Sequence, residues 1–362
     1  MRSILAEKWR IAARRLLSRR ILLSHGGGGK ETQEIIEYLI RGLVPKEYWR
    51  VGDGTGLDLL DDASYIPVDG RNRIAVTVDS YTVDPIIFPG GDIGVLAASG
   101  TINDLLVGGA RPVAALDAII VEEGLETETL AYVLNSLINT LVENKVALIG
   151  GDFKVVPKGN IDKIAITMTG IGFVMKELRD DAIKPGDKLI VSGPVGSHGA
   201  AILSARGTYG LKLDIKSDVK PLTPLMLPLL EKYGDDLRAA GDPTRGGVAM
   251  LLNEWARKNG LVIYIDEAEI PVEEEVRAYA DVIGVDPLAL ASEGVAVLAV
   301  SPEKAEEILS FIHELGYRDA RIIGEARKPK SEKHRGIVIA KTPVGGFRIV
   351  EVPSGEIVPR IC

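Results

Sequence analysis

The sequence predicts an α+β protein of two units and a tail, on three observations. Strands are marked in both halves, by alternation at Ile74 to Val78 and by the short apolar run at Lys188 to Val191. Apolar residues spaced by three and four mark helices, most clearly at Leu130, Val133, Leu134, Leu137, Ile138, Leu141 and Val142. A polar, turn-forming run from Arg179 to Asp187 separates the halves.

The elements follow in order. Met1 to Arg20 reads as a basic amphipathic helix, with Arg10, Arg14 and Arg15 set beside Trp9, Ile11 and Leu16, and residues 1–22 form a basic extension. A first unit, residues 23–175, opens on Ser24-His25-Gly26-Gly27-Gly28-Gly29-Lys30 and a helical pattern through Ile35, Ile36, Leu39, Ile40 and Leu43. The strand at Ile74 to Val78 places Asp79 at its exit, and short strands at Val146 to Ile149 and Ile164 to Val174 close the unit.

A second, α/β unit covers residues 176–345. It holds a strand at Lys188 to Val191, a glycine-rich loop at Gly193 to Gly199, a helix at Ala200 to Arg206, and another around Val248, Leu251, Leu252 and Trp255. Strands follow at Leu261 to Ile265 and Val295 to Val300. A last helix runs from Pro302 to Leu315, with Ser301 as its cap. From Lys328 onward Gly, Pro and charge dominate, and residues 346–362 form a mobile tail.

Composition excludes several classes. With 362 residues and 46% hydrophobic content the chain builds large cores without disulfides. Its net charge of -8 offers no broad basic field for nucleic acid or an anionic membrane. No apolar run approaches the roughly 18 residues of a membrane span, and the first residues lack the cleavage pattern of an export signal. A single cysteine fits a reducing cytoplasm.

That cysteine is the last residue, Cys362, after Val358-Pro359-Arg360-Ile361. One thiol forms no internal disulfide, but at a chain end it can swing into an active site; an incidental terminal thiol is the alternative. The four glycines before a helix suit either a phosphate clamp or a flexible turn, and Glu31 after Lys30 rules out a Walker loop. Aspartates recur beside turns or strand ends: Asp61, Asp62, Asp79, Asp104 and Asp152. Such dispersed carboxylates suit a hard cation bound with nucleotide phosphates. Asp242-Pro243-Thr244-Arg245-Gly246-Gly247 is a second anion-facing turn or a plain helix start. Ser292-Glu293-Gly294 interrupts apolar sequence and can hold a carboxylate at a cleft. His198, in Gly196-Ser197-His198-Gly199, is either a catalytic group or a loop hydrogen-bonder.

Together these segments resemble the HypE family of hydrogenase maturation factors, carbamoyl dehydratases of the AIR-synthetase-like (PurM-like) superfamily. The resemblance runs from about Leu23 to Cys362. It is carried by His25 to Gly29, Asp61-Asp62-Ala63, Thr77-Val78-Asp79-Ser80, Phe88 to Gly94, Asn103-Asp104-Leu105, Gly151 to Val156, Val191 to Gly199, Thr244 to Gly247 and the Pro-Arg-Ile-Cys ending. Several of these are superfamily-wide; the ending is specific to this branch. It implies a two-domain PurM-like fold, with a mixed sheet in the N-terminal domain that forms a homodimer.

It also implies a reaction. A HypF-like carbamoyltransferase loads Cys362, ATP phosphorylates the amide oxygen, and loss of phosphate leaves a thiocyanate whose cyanide passes to a HypC–HypD scaffold for the [NiFe] centre. Asp62, Asp79, Asp104 and Asp152 would hold Mg²⁺ and, with Asn103, Arg245 and the His25, Gly26, Gly27, Gly28 and Gly29 loop, ATP. Lys154, Glu293 and His198 would act near the tail, with Glu293 as proton acceptor and Lys154 stabilising phosphate or the amide oxygen. Phe153 stands where the family usually has Thr, and Gly241 where it usually has Arg. Rival readings are a thiamine-phosphate kinase or selenophosphate synthetase of the same superfamily, although the latter's cysteine near the glycine segment is missing, and a non-catalytic scaffold docking through Cys362.

Overall fold

The computed structural model describes residues 10–16, 20–70, 72–353 and 361. Two sheets organise it, one on each side of the run at 179–187. The first half contains β1 (Ser64–Pro67), β2 (Arg73–Tyr81), the two-residue ribbon β3 (Ile87–Phe88) and β4 (Gly91–Asp92), β5 (Ala110–Glu122), β6 (Ala147–Val156) and β7 (Ile164–Val174). Five of these form a sheet in the order β1-β2-β7-β5-β6. All neighbours are antiparallel except β5 and β6, which are parallel, so the sheet is mixed.

Helix α1 (Lys30–Ile35) runs into a π-helical stretch, Ile36–Arg41. Helices α2 (Ile93–Val107) and α3 (Thr127–Glu143) follow, and α3 is the crossover that parallel pairing of β5 with β6 requires. Helix α2 is capped by Asp92, whose carboxylate accepts the N–H of Gly94 at 2.7 Å and of Val95 at 3.3 Å. Every residue of α2 except Val95 and Asp104 is buried. It packs on β2, β5 and β7 on one side and on the second half on the other.

The second half contains β8 (Lys188–Val191), β9 (Leu237–Gly241), β10 (Val262–Asp266), β11 (Val297–Val300), β12 (Arg321–Arg327), β13 (Ile337–Lys341) and β14 (Phe347–Val350), in the order β14-β13-β10-β12-β8-β11-β9. Its helices are α4 (Ser197–Arg206), α5 (Thr223–Tyr233), α6 (Gly247–Asn259), α7 (Glu274–Ile283) and α8 (Ala305–Glu314). Helix α6 buries Val248, Leu252 and Trp255 against Ile263, Val338 and Ala340. The largest core joins residues of α5, α7 and α8 to residues of α2, so one apolar cluster spans both halves. Among the described residues no helix is long and apolar enough to cross a membrane.

Several elements differ from the sequence expectation. Helix α2 carries no amphipathic signal, because an element buried on nearly every side needs no polar face. Strand β2 continues through Asp79 to Tyr81, and Asp152 lies inside β6 rather than in a turn. The last helix begins at Ala305; Ser301 instead donates its hydroxyl to Asp236 at 2.8 Å. Past Lys328 the chain adds two strands, and beyond them Ile361 is buried. Of the basic N-terminal helix, residues 10–15 are helical, and residues 1–9 and 17–19 lie outside the described residues. So does Cys362.

Candidate active site

Three elements bring carboxylates to one place. Asp62 precedes β1, Asp104 lies on α2 and Asp242 follows β9; one oxygen of each lies within 4.8 Å of the other two. Thr77 on β2 donates its hydroxyl to Asp104 Oδ2 at 2.6 Å. Asp79, two residues further along the same face of β2, approaches Arg245 at 3.4 Å. Burial first, then repulsion from Asp242, Asp79 and Asp62, pushes the Asp104 carboxyl well above the usual carboxylate range. Burial likewise pushes Asp242 up to about 7, with Asp79 adding to the rise and Arg245 opposing it.

Glu293 completes this acidic region. It is buried, and its carboxyl is raised well above the ordinary value by burial and then by Asp242, Asp218 and Asp79. Glu293 Oε1 and Asp242 Oδ2 are buried without a hydrogen-bond partner. Orphaned oxygens in a cluster of hard, mutually repelling donors are what a Mg²⁺ ion would satisfy, so the residues present fit that ion. Asp61, beside Asp62 in sequence, has a different task. Lys258 of α6 binds Asp61 at 2.8 Å and Asp180 at 2.6 Å, and Trp255 Nε1 donates to Asp180 at 2.6 Å. This network ties the loop before β1 to the second half.

The glycine segment lies against the same region. At Gly28, with φ of +77°, a side chain would meet Arg245 Cβ at 2.4 Å, so only glycine permits this approach. A Cβ on Gly29 would meet the carbonyl of Pro353 at 2.9 Å, which puts the start of the tail beside the loop as well. Gly26 and Gly27 have no such crowding. His25 is buried, and its Nδ1 accepts the N–H of Leu22 at 3.0 Å within its own turn.

Asn103 is committed to the protein. Its amide donates to the carbonyls of Lys220 at 3.1 Å and Glu293 at 3.3 Å, and its oxygen accepts the N–H of Leu222 at 2.7 Å. It therefore clamps α2 to the second half and has little capacity left for a nucleotide. His198 is buried at the start of α4, with Nδ1 2.7 Å from Ser217 Oγ and Nε2 2.9 Å from the carbonyl oxygen of Ile361.

Asp152 and Lys154 stand apart. They pair with each other at 2.7 Å and are each more than half exposed on the edge strand β6. Register explains the separation. Asp79 sits opposite Met168, which sits opposite Asp117, which sits opposite Gly151; Asp152 therefore faces the other side of the sheet. Lys154, two residues on, shares that side. Within one chain neither joins Asp62, Asp104 and Asp242, which corrects their placement with the other ligands.

Sequence reasoning undervalued Asp242, whose segment drew notice for Arg245 and its glycines, though a carboxylate at a strand exit was a readable signal. Ser217 and Asp218 lie in the irregular stretch between α4 and α5, where no periodicity or motif marks them.

Comparison with known proteins agrees with this architecture. Residues 60–174 match the AIR synthase related protein, N-terminal domain, and residues 184–337 its C-terminal domain. A putative hydrogenase expression/formation protein of Methanocaldococcus jannaschii is 44% identical over 95% of this chain and its own full length. The carbamoyl dehydratase HypE of Rhizobium leguminosarum bv. viciae is 39% identical over 95% of each chain. The crystal structure of HypE in a HypE–HypF complex superposes with a TM-score of 0.79 at 37% identity, covering 88% of this chain and 99% of that one. HypE in complex with ATP gives 0.77 at 36%, covering 95% and 100%. The two sheets, the carboxylate cluster between their elements and these matches place the chain in the AIR-synthase-related family, in its HypE carbamoyl dehydratase branch.

Proposed function

We propose that this chain dehydrates a carbamoyl group carried on Cys362 to a thiocyanate, at the expense of ATP, to supply cyanide for the iron of a [NiFe]-hydrogenase centre. The observation that carries this reading is Ile361: the residue next to the thiol is buried, and its carbonyl is held by His198. A kinase acting on a free small molecule has no use for such a docked chain end. The ATP complex and the HypE–HypF complex of relatives support a nucleotide substrate and a HypF-like partner, which we take as the carbamoyltransferase that loads Cys362; a HypC–HypD scaffold as the acceptor follows from the family resemblance alone.

In the reaction the amide oxygen attacks the γ-phosphorus of ATP, and ADP leaves. One proton on nitrogen passes to Glu293 and the other leaves with phosphate or to solvent. The C–O bond then breaks, phosphate departs and the C≡N bond remains on sulfur; the net change is loss of water. An amide oxygen is a poor leaving group and phosphate a good one, so ATP supplies the driving force. Glu293 suits proton transfer because it is buried beside the reacting region with Oε1 unpartnered, and burial raises its affinity for a proton. Bound Mg²⁺ would neutralise phosphate charge at Asp62, Asp104 and Asp242, with Asp79 beside them. Arg245 and the loop from Gly26 to Gly29 bind the anionic nucleotide.

Asp152 and Lys154 enter this scheme through a second copy of the chain. The edge strand β6 exposes Leu148, Ile149, Phe153 and Val155, and the uncovered face of the same sheet exposes Val78 and Ile120. Pairing this surface with its equivalent buries apolar area and carries Asp152 and Lys154 toward a neighbour's cleft. The test is ATP turnover by protein with and without carbamoylated Cys362. Phosphate release that depends on the carbamoyl group supports dehydration; equal turnover in both forms supports a different ATP-dependent enzyme.

A further inference from the structure

Ser217 and Asp218 belong to no helix or strand, yet their polar groups are spent on two separate tasks. The N–H of Ser217 donates to the carbonyl of Pro89 at 2.8 Å, and its Oγ accepts the N–H of Val219 at 3.1 Å. Its hydroxyl proton faces His198 Nδ1 at 2.7 Å, while His198 Nε2 lies 2.9 Å from the Ile361 carbonyl. A carbonyl only accepts, so Nε2 carries the ring proton and Nδ1 accepts from Ser217. The ring is then satisfied at both nitrogens, neutral and packed edge-on against Phe88, with centroids 5.4 Å apart.

The next residue faces the other way. Asp218 accepts the N–H of Glu293 at 3.2 Å on each oxygen and the N–H of Gly294 at 3.1 Å. From the opposite side Lys220 N–H and Asn103 Nδ2 each donate to the Glu293 carbonyl at 3.3 Å. The peptide of Glu293 is thus held on both sides while its Oε1 is left without a partner.

We infer that Ser217 and Asp218 are positioning residues that set the register between the docked tail and Glu293. Ser217 fixes the His198 tautomer that grips the backbone beside the thiol, and Asp218 fixes the peptide that carries the proton acceptor. Two consecutive residues on one pinned loop hold both reactants, so a shift in either is felt as a loss of alignment. A misplacement of about 1 Å costs on the order of 10²-fold in rate. The Asp218 half rests on the function proposed above; the tail grip does not.

The test uses the full-length protein, the variants Ser217→Ala and Asp218→Asn, and Lys216→Ala, an exposed neighbour, as control. Two quantities are read: alkylation of Cys362 in the presence of Mg²⁺ and a non-hydrolysable ATP analogue, and steady-state dehydration of the carbamoylated protein. Ser217→Ala should alkylate several-fold faster. Asp218→Asn should alkylate like wild type but lose about 10²-fold in kcat with KM for ATP unchanged. Lys216→Ala should move neither.

Wild-type alkylation in Ser217→Ala overturns the tail grip, and wild-type kcat, or a change in KM alone, in Asp218→Asn overturns the Glu293 half. Two measurements on the wild-type chain need no variant to fold. Imidazole ¹⁵N shifts should show His198 protonated at Nε2, and amide exchange should show Glu293 and Gly294 protected; an Nδ1–H ring or rapid exchange overturns the corresponding half. A protein that shields Cys362 but never dehydrates would sink the proposed function and still support the grip.

Discussion

The acidic cleft and the outer edge of the first sheet use the same residue type to opposite effect. In the cleft, burial and crowding raise Asp104 and Asp242, and buried oxygens are left unpaired. On β6, the hydrogen bond from Lys154 holds Asp152 below its ordinary value, and both side chains stand in solvent. A carboxylate's chemistry is set by its surroundings: the first group is poised for a cation and protons, the second is a satisfied surface pair that needs a partner surface to matter.

Substitutions can break or sharpen that contrast, and the largest effect belongs to the thiol itself. Cys362→Ser should abolish thiocyanate formation while nucleotide binding, followed by calorimetry, survives. Glu293→Gln should come next, lowering turnover by about 10²- to 10⁴-fold with little change in ATP affinity, because it removes the proton acceptor and leaves the cleft's other carboxylates in place. Asp242→Asn should weaken Mg-ATP binding by at least about 10-fold, since an amide cannot replace a carboxylate's charge at a hard cation. Asp152→Asn sharpens the comparison through concentration. It should weaken Mg-ATP binding where the chain is dimeric and change nothing where it is diluted to monomer, and the melting temperature should stay at the wild-type value in both.

Much of the architecture was legible because its elements have two different sides. The helix from Leu130 to Val142, apolar at spacings of three and four, and the strand from Ile74 to Val78, with alternating burial, were placed closely. Helix α2 was not, since it is buried on nearly every side and its one ligand, Asp104, has no polar face to mark it. The site was legible as a list of residues but not as an arrangement. Asp62 and Asp104 converge, whereas the parity of β6 sends Asp152 to the opposite face, and parity depends on a register that local sequence does not reveal. Asp218 acts through backbone N–H groups far away in sequence, a role with no local signature.

Acid offers a smaller, independent check on the docked tail. Burial lowers the His198 pKa from 6.5 to about 4, so the unfolded chain binds this proton more readily than the folded one. Stability should therefore fall as pH drops from about 6.5 to about 4, by at most roughly 3 kcal/mol from this group. His198→Gln, which keeps a donor but cannot titrate, should lose less stability than wild type across that window in denaturant titrations.

The most direct measurement is the intact mass of the chain carbamoylated on Cys362, before and after Mg-ATP. Dehydration requires the loss of one water, located by fragmentation to the last residue and matched by one equivalent of ADP. Release of ADP with the carbamoyl mass unchanged would contradict the account.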